Sequence, residues 1–407
     1  MDTSGIGRRI AYWRERRGFT QTDFGQLMGQ TRRWVQDIEG GRRQQDPRLS
    51  VLVRAAEALR VPLERLLTDD LPDPPASGAS GVPPAGVLGV VDALYNPRID
   101  GEPLAPAVLE RRLVYCCQAF QACHYATLAR ELPLLISCAG QTAHDAAVGA
   151  RTDAQALLSR VYQLVTSYLH KYGETAAIPA ALAADRGLLA AERSGDLVQV
   201  GAAARRVAKS LVHQQRPETA VEFATVAARR LGGELMERGP LGWSTLGMLY
   251  LSAALAASSQ ERTTARMRLA TGFVDEAAEI ADRQGADRNE DWTMFGPTNV
   301  GLHRVDVLLR FEDASAALEA AGGLSPEALR NMTRERRAGH HVALARASLL
   351  TRRKEEAARE LLEAERLAPE EVRCRPDAVS LVKDVVGATV EPGGQLRALA
   401  ERCGLRA

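Results

Sequence analysis

Little in this chain is aromatic: Phe, Trp and Tyr together make up 5% of its 407 residues. Lysine is scarcer still, four of the 52 basic residues, a bias of the kind a GC-rich genome leaves. No CxxC pair occurs among Cys116, Cys117, Cys123, Cys138, Cys374 and Cys403, and their spacing fits neither a zinc site nor a disulfide framework. Buried thiols in a reducing cytosol are the expectation. Cys123-His124 near Cys116-Cys117 has ligand chemistry without ligand spacing, and His340-His341 is no better placed, so no metal is expected. A run of about 18 apolar residues is missing, which excludes a membrane-spanning helix. The polar, Arg-rich start lacks the apolar core of a signal peptide, so a cytoplasmic chain is expected. Nucleophile elbow, HExxH, phosphate loop and dinucleotide fingerprint are all wanting. No catalytic residue and no cofactor is therefore assigned, and an enzyme is not expected.

Hydrophobic residues, mostly Ala and Leu, make up 45% and favour helix over sheet. The length suggests two or three domains at about 150 residues each. Net charge is only +1, yet the first 68 residues carry 13 Arg against eight acids. A basic end on a slightly acidic body suits a nucleic-acid reader joined to something else.

Residues 19–43, FTQTDFGQLMGQTRRWVQDIEGGRR, read as two short helices and a tight turn. Thr20 can cap the first and Thr31 starts the second. Phe24, Leu27 and Met28 share one face, and Val35 and Ile38 turn inward. Gly29 sits where the chain must reverse, and Gly40-Gly41 ends the second helix. Such a helix–turn–helix places its second helix in the DNA major groove. Further helices are expected at 6–17, with Ile10 and Trp13 inward, at 49–59, and at 62–67 with Pro62 in its first turn.

With Thr20-Gln21, Gly29, Ile38-Glu39, Gly41-Arg42, Pro47 and the closing VLVRAAEALRVPLERLL, this stretch resembles the DNA-binding domain of the XRE family, a lambda-repressor-like fold of five short helices. The resemblance implies an internal Arg14–Glu39 pair, worth under about 1 kcal/mol if solvated. It puts Gln21 where an amide grips phosphate and buttresses the next helix. Thr31, Arg32, Arg33, Trp34, Gln36 and Asp37 then lie on or beside the reading face. Arg32 and Arg33 suit guanine O6 and N7, whereas Asp37 could accept from cytosine, repel phosphate or orient an arginine. Arg42 and Arg43, just past the helix, should meet phosphates. Trp34 replaces a small polar residue, and either packs on the sugar–phosphate backbone or covers an apolar edge. Gly25 stands where the family has Ala and should loosen its helix by up to about 1 kcal/mol.

Residues 69–86, rich in Pro, Gly and Ser, read as a linker between a domain at 1–68 and a body at 87–407. The body shows helices of roughly 12–20 residues, broken at 170–174, 194–196, 214–217 and 322–326. Ala345, Ala357, Ala364 and Pro369 match the small positions and closing proline of a tetratricopeptide (TPR) repeat, about 34 residues long. Ala208, Ala220 and Ala227, then Ala253, Ala265 and Gly272, repeat the spacing. The fold expected is all-α: the five-helix domain, then an α-solenoid of about five or six TPR-like helix pairs with a concave binding face.

Domain order, WTMFGPTNVGLHRV and LLEAERLAPEEV together resemble a group of actinobacterial regulators. More distantly they resemble the pheromone-sensing regulators of Gram-positive bacteria, whose array binds a signal peptide. What this implies is a transcription regulator, homodimeric on a double-stranded operator, with a peptide, small-molecule or protein effector. An interaction scaffold tethered to DNA is the alternative. In 291–304, Trp292, Phe295, Asn299, His303 and Arg304 combine aromatics, amide, imidazole and guanidinium in the manner of a ligand pocket, with Thr298 as a helix cap. Core packing explains the same residues. Asp185-Arg186 reads as an internal ion pair.

Overall fold

The computed structural model describes residues 3–16, 19–40, 47, 49–59, 61, 63–67, 85–96, 104–389 and 393–405. Two compact units divide the chain, Met1–Ala79 and Ser80–Ala407.

In the first unit the helices are α1 (Thr3–Arg16), α2 (Gln21–Leu27), α3 (Arg32–Glu39), α4 (Leu49–Leu59) and α5 (Glu64–Leu67). Thr20 caps α2 in a reciprocal capping box with Asp23, and Thr31 Oγ1 accepts from Trp34 N at 3.2 Å to start α3. Gly29 takes φ +63° in the turn, where a side chain would strain the backbone. Ile6, Ile10, Phe24, Met28, Val35, Ile38, Leu52 and Leu59 close one core. Gly25 has a packing reason for lacking a side chain: a Cβ there would stand 2.9 Å from Gln30 O. Gly41, Pro62 and most of the 69–86 linker lie outside the described residues.

The second unit opens with α6 (Ala85–Tyr95), then six helix pairs. These are α7 (Pro106–Gln121) with α8 (Tyr125–Asp145), α9 (Arg151–Leu169) with α10 (Ala177–Ser194), and α11 (Leu197–His213) with α12 (Pro217–Glu237). Then come α13 (Gly239–Ala257) with α14 (Thr264–Gln284), α15 (Pro297–Arg310) with α16 (Ala314–Gly322), the short α17 (Pro326–Asn331), and α18 (Arg334–Leu350) with α19 (Lys354–Leu367). The helices α20 (Pro369–Arg373), α21 (Pro376–Ala388) and α22 (Gly394–Arg402) follow. Among the described residues there is no strand, only an isolated bridge between Arg288 and Phe295.

Small residues set the pairing. Ala345, Ala357 and Ala364 are fully buried, as are Ala208 and Ala220, because helices this close admit no larger side chain. The third expected set is out of register: Ala265 is exposed and Gly272 half-buried, while Ala270, Ala277 and Ala281 make the contact. Ala227 likewise yields to Ala224 and Ala228.

The array does not stay open. The first helices of the pairs pack side by side in the order α7, α9, α11, α13, α15, α18, and α18 returns to α7. Ala338 of α18 and Ala368 share one core with Leu109, Tyr125 and Tyr168. At this seam Lys171 Nζ donates to Glu335 at 2.7 Å and to both oxygens of Glu371 at 3.0 Å, and Tyr125 donates to Glu371 as well. Ala126 N donates to Glu370 at 2.9 Å. The solenoid is thus a closed ring of inner helices wrapped by their partners.

Candidate nucleic-acid interface

On the first unit, local chemistry fixes which way α3 faces. Val35 and Ile38 are buried, so Thr31, Arg32, Arg33 and Gln36 stand exposed on the other side and Asp37 is half-buried. Beneath α3 lies an ion pair stronger than a solvated one. Arg14 Nε donates to Glu39 Oε1 at 2.5 Å and Nη2 to Oε2 at 3.1 Å, with both side chains 8% exposed. The hydrogen bond from Glu39 raises the Arg14 guanidinium above its ordinary value, against the pull of burial. Gln21 Nε2 donates to the same carboxylate at 3.0 Å, the buttressing half of its expected role. α2 and α3 are thereby tied to α1 by one carboxylate.

Trp34 is half-buried on the core with Phe24 and Val35, so it covers an apolar edge. Arg42 and Arg43 lie outside the described residues.

The five candidate ligand residues of the body do not form one open pocket. Phe295 is fully buried, its ring lying where a Cβ on Gly247 of α13 would be 2.0 Å away. Asn299 is buried and donates to Thr293 O at 3.1 Å. His303 meets Asn299 O through Nδ1 at 2.8 Å, and burial, then Arg336, push its pKa down to about 3. Arg304 points elsewhere, to Asp275 at 2.8 Å, and Trp292 is half-buried against the α7–α9 core. The physical reason is the inner position of α15, which turns its polar residues into the ring. Thr298 is not its cap: Asp287 Oδ1 accepts from Thr298 N and Asn299 N at 3.1 and 3.3 Å. Nor does Arg186 pair with Asp185; it donates to Leu94 O at 2.5 Å.

What the sequence did not single out is a set of basic groups lining the ring. Arg205, Arg206 and Lys209 lie on one stretch of α11. Lys209 has an accessible side chain with protein on many sides: burial, then Lys171 and Arg375, push its pKa down to about 7. Burial lowers Arg205 and Arg206 too, Arg205 further by the charges of Arg206 and Arg336. Their spacing of one turn was the available signal.

No helix among the described residues is long and apolar enough to cross a membrane. Residues 6–68 match the family model of a helix-turn-helix domain. No curated protein matches the chain. Among solved structures, the crystal structure of Bacillus thuringiensis PlcR in complex with the peptide PapR7 and DNA is similar at 14% identity, over 89% of this chain and 99% of that one, with a TM-score of 0.34. Geometry and family match agree on the first unit, which carries a helix–turn–helix.

Proposed function

We propose that the chain is a sequence-specific, DNA-binding transcriptional regulator of the XRE type. α3 enters the major groove, where Arg32 and Arg33 read bases, at least one of them guanine, with Thr31, Gln36 and Asp37 beside them. Gln21, Arg42 and Arg43 hold phosphates, and Trp34 shields the edge of the reading helix. The observation that carries this is the exposed Arg32–Arg33 pair on a helix whose orientation is locked by Thr31 and Glu39. One such domain reads too few bases to be selective, so two copies act together on an inverted repeat. The helical body joins the copies and receives an effector.

Operators selected from random duplexes, then titrated by fluorescence anisotropy, test the reading. Arg32→Ala or Arg33→Ala should weaken specific binding by about 10- to 100-fold, the worth of a lost bidentate base contact of about 1–3 kcal/mol. Wild-type affinity in both variants would refute it. Sedimentation of the free chain tests the pairing of copies, and a strict monomer bound to a half-site would refute that part.

A further inference from the structure

The ring interior holds more positive charge than its own carboxylates neutralise. Lys171 and Arg375 are matched: Glu335 and Glu371 lie 2.7 to 3.0 Å from them. Arg336 has one distant ion pair, 3.8 Å from Glu335, and faces Asp306, which Arg310 and Arg375 face as well. Arg205 and Lys209 make no hydrogen bond or ion pair with any described residue. Arg206 spends one nitrogen on Ala202 O at 3.0 Å, and its Nε is buried with no partner. The carboxylates that face the cluster are engaged with other cations: Asp291 with Arg160 at 3.6 Å and Glu335 with Lys171 at 2.7 Å. Across the ring, Lys171, Glu335, Arg336 and Arg375 face them from the segment after α9, from α18 and from the end of α20.

Clustered cations without counterions repel one another and oppose folding. A chain keeps such a cluster where something else supplies the negative charge, and several donors converging from one helix suit an anion with more than one charged oxygen. Near the cluster the backbone is strained: Asp291, Trp292 and Met294 all take positive φ, at 44°, 62° and 50°. Strain of this kind collects at ligand sites.

We infer that the interior of the ring binds a small multivalent anion, a compound with clustered phosphate or carboxylate groups, through Arg205, Arg206 and Lys209 of α11 with Arg336 of α18. Here the effector named only in general terms above gains a chemical class, so the inference rests on that reading for its regulatory meaning but not for the binding itself.

The test uses the full chain without DNA. Sodium pyrophosphate and sodium citrate are titrated separately by calorimetry and thermal unfolding, with sodium chloride at matched ionic strength as reference. The expected result is saturable one-to-one binding and a raised Tm with at least one of the two probes; which one binds distinguishes phosphate from carboxylate ligands. Arg205→Met and Lys209→Met should each weaken binding at least tenfold, while their Tm without anion stays level or rises, because an unneutralised cation has gone. Lys209→Arg should keep most of the binding. Arg229→Met, on the outer helix α12, should keep all of it. Equal stabilisation by sodium chloride, no saturable binding of either probe, or unaltered binding in both methionine variants would overturn the inference. None of these outcomes touches DNA binding, which the Arg32 and Arg33 variants test separately.

Discussion

Glu39 and Arg33 lie on the same short helix and should fail in opposite ways when replaced. Glu39 accepts from Arg14 and Gln21 at once, so Glu39→Ala leaves the buried Arg14 guanidinium only the exposed Glu15 carboxylate and Phe19 O. Breaking a buried pair in this way costs about 3 kcal/mol, and the expected outcome is faster amide exchange throughout α1–α3, with DNA binding falling as a consequence. Arg33 is exposed, and Arg33→Ala should leave exchange unchanged while binding falls. A Glu39→Ala chain with unchanged exchange would show the network to be ornamental. Lys209 carries a third prediction at this scale. Its folded pKa of about 7 lies below the ordinary 10.5, so between these values the unfolded chain binds a proton that the folded chain has shed. Stability should therefore rise with pH from 7 toward 10.5 through this group. The groups facing it are Lys171, Arg375, Glu335 and Arg205, with His213 one turn further along α11. Thermal unfolding from pH 7 to 9.5 should show that rise in the wild type and a shallower one in Lys209→Met.

At the scale of elements, α13 and α15 meet where a glycine stands under an aromatic ring. A methyl group at position 247 would lie 2.0 Å from Phe295 Cζ, so Gly247→Ala must expel the ring or part the helices. Overpacking of this kind costs about 1–3 kcal/mol or more, and denaturant unfolding should register it although the change is from a poor helix residue to the best one. Such crossings explain what the sequence could and could not disclose. α2 and α3 were legible because their determinants are local: Thr20, Gly29 and Thr31 act on neighbours within a few residues. The helix breaks of the body were legible for the same reason. The register of α13 against α14 was not, since an Ala-rich pair offers several equivalent stripes and only three-dimensional contact selects Ala270 over Ala265. Likewise Asn299 and His303 share a face in either reading, but whether that face meets a ligand or a backbone carbonyl depends on Thr293 and Asn299 O. On α11, Arg205 and Lys209 look in sequence like an ordinary solvated face. Ring closure, a relation between distant residues, is what sets Lys171, Glu335 and Arg336 opposite them.

For the whole molecule that closure rests on few groups. Lys171, Glu335, Glu371 and Tyr125 join α8 and the segment after α9 to α18 and α20 over separations of 164 to 246 residues. Burial alone would push the Glu371 carboxyl up, but Lys171 and Arg375 bring it below its ordinary 4.5. Burial would likewise pull the Lys171 ammonium down, and Glu335 and Glu371 carry it above its ordinary 10.5. A depressed carboxylate contributes stability at every pH above 4.5 and loses it as pH falls through its folded value. A raised ammonium contributes below 10.5 and loses it as pH climbs beyond. The seam should accordingly hold from about pH 5 to 10 and part in acid. Glu371→Gln removes the charge while keeping the shape, leaving Lys171 with Glu335 alone, and should cost about 3 kcal/mol at pH 7. The difference from wild type should persist down to pH 5 and shrink below 4.5, where the unfolded wild-type chain takes up a proton that the folded carboxyl accepts only at lower pH. Because the seam closes a ring, the loss of amide protection in Glu371→Gln should appear together in α7–α8 and in α20–α21. Protection lost only around position 371 would mean that the two ends touch without supporting each other.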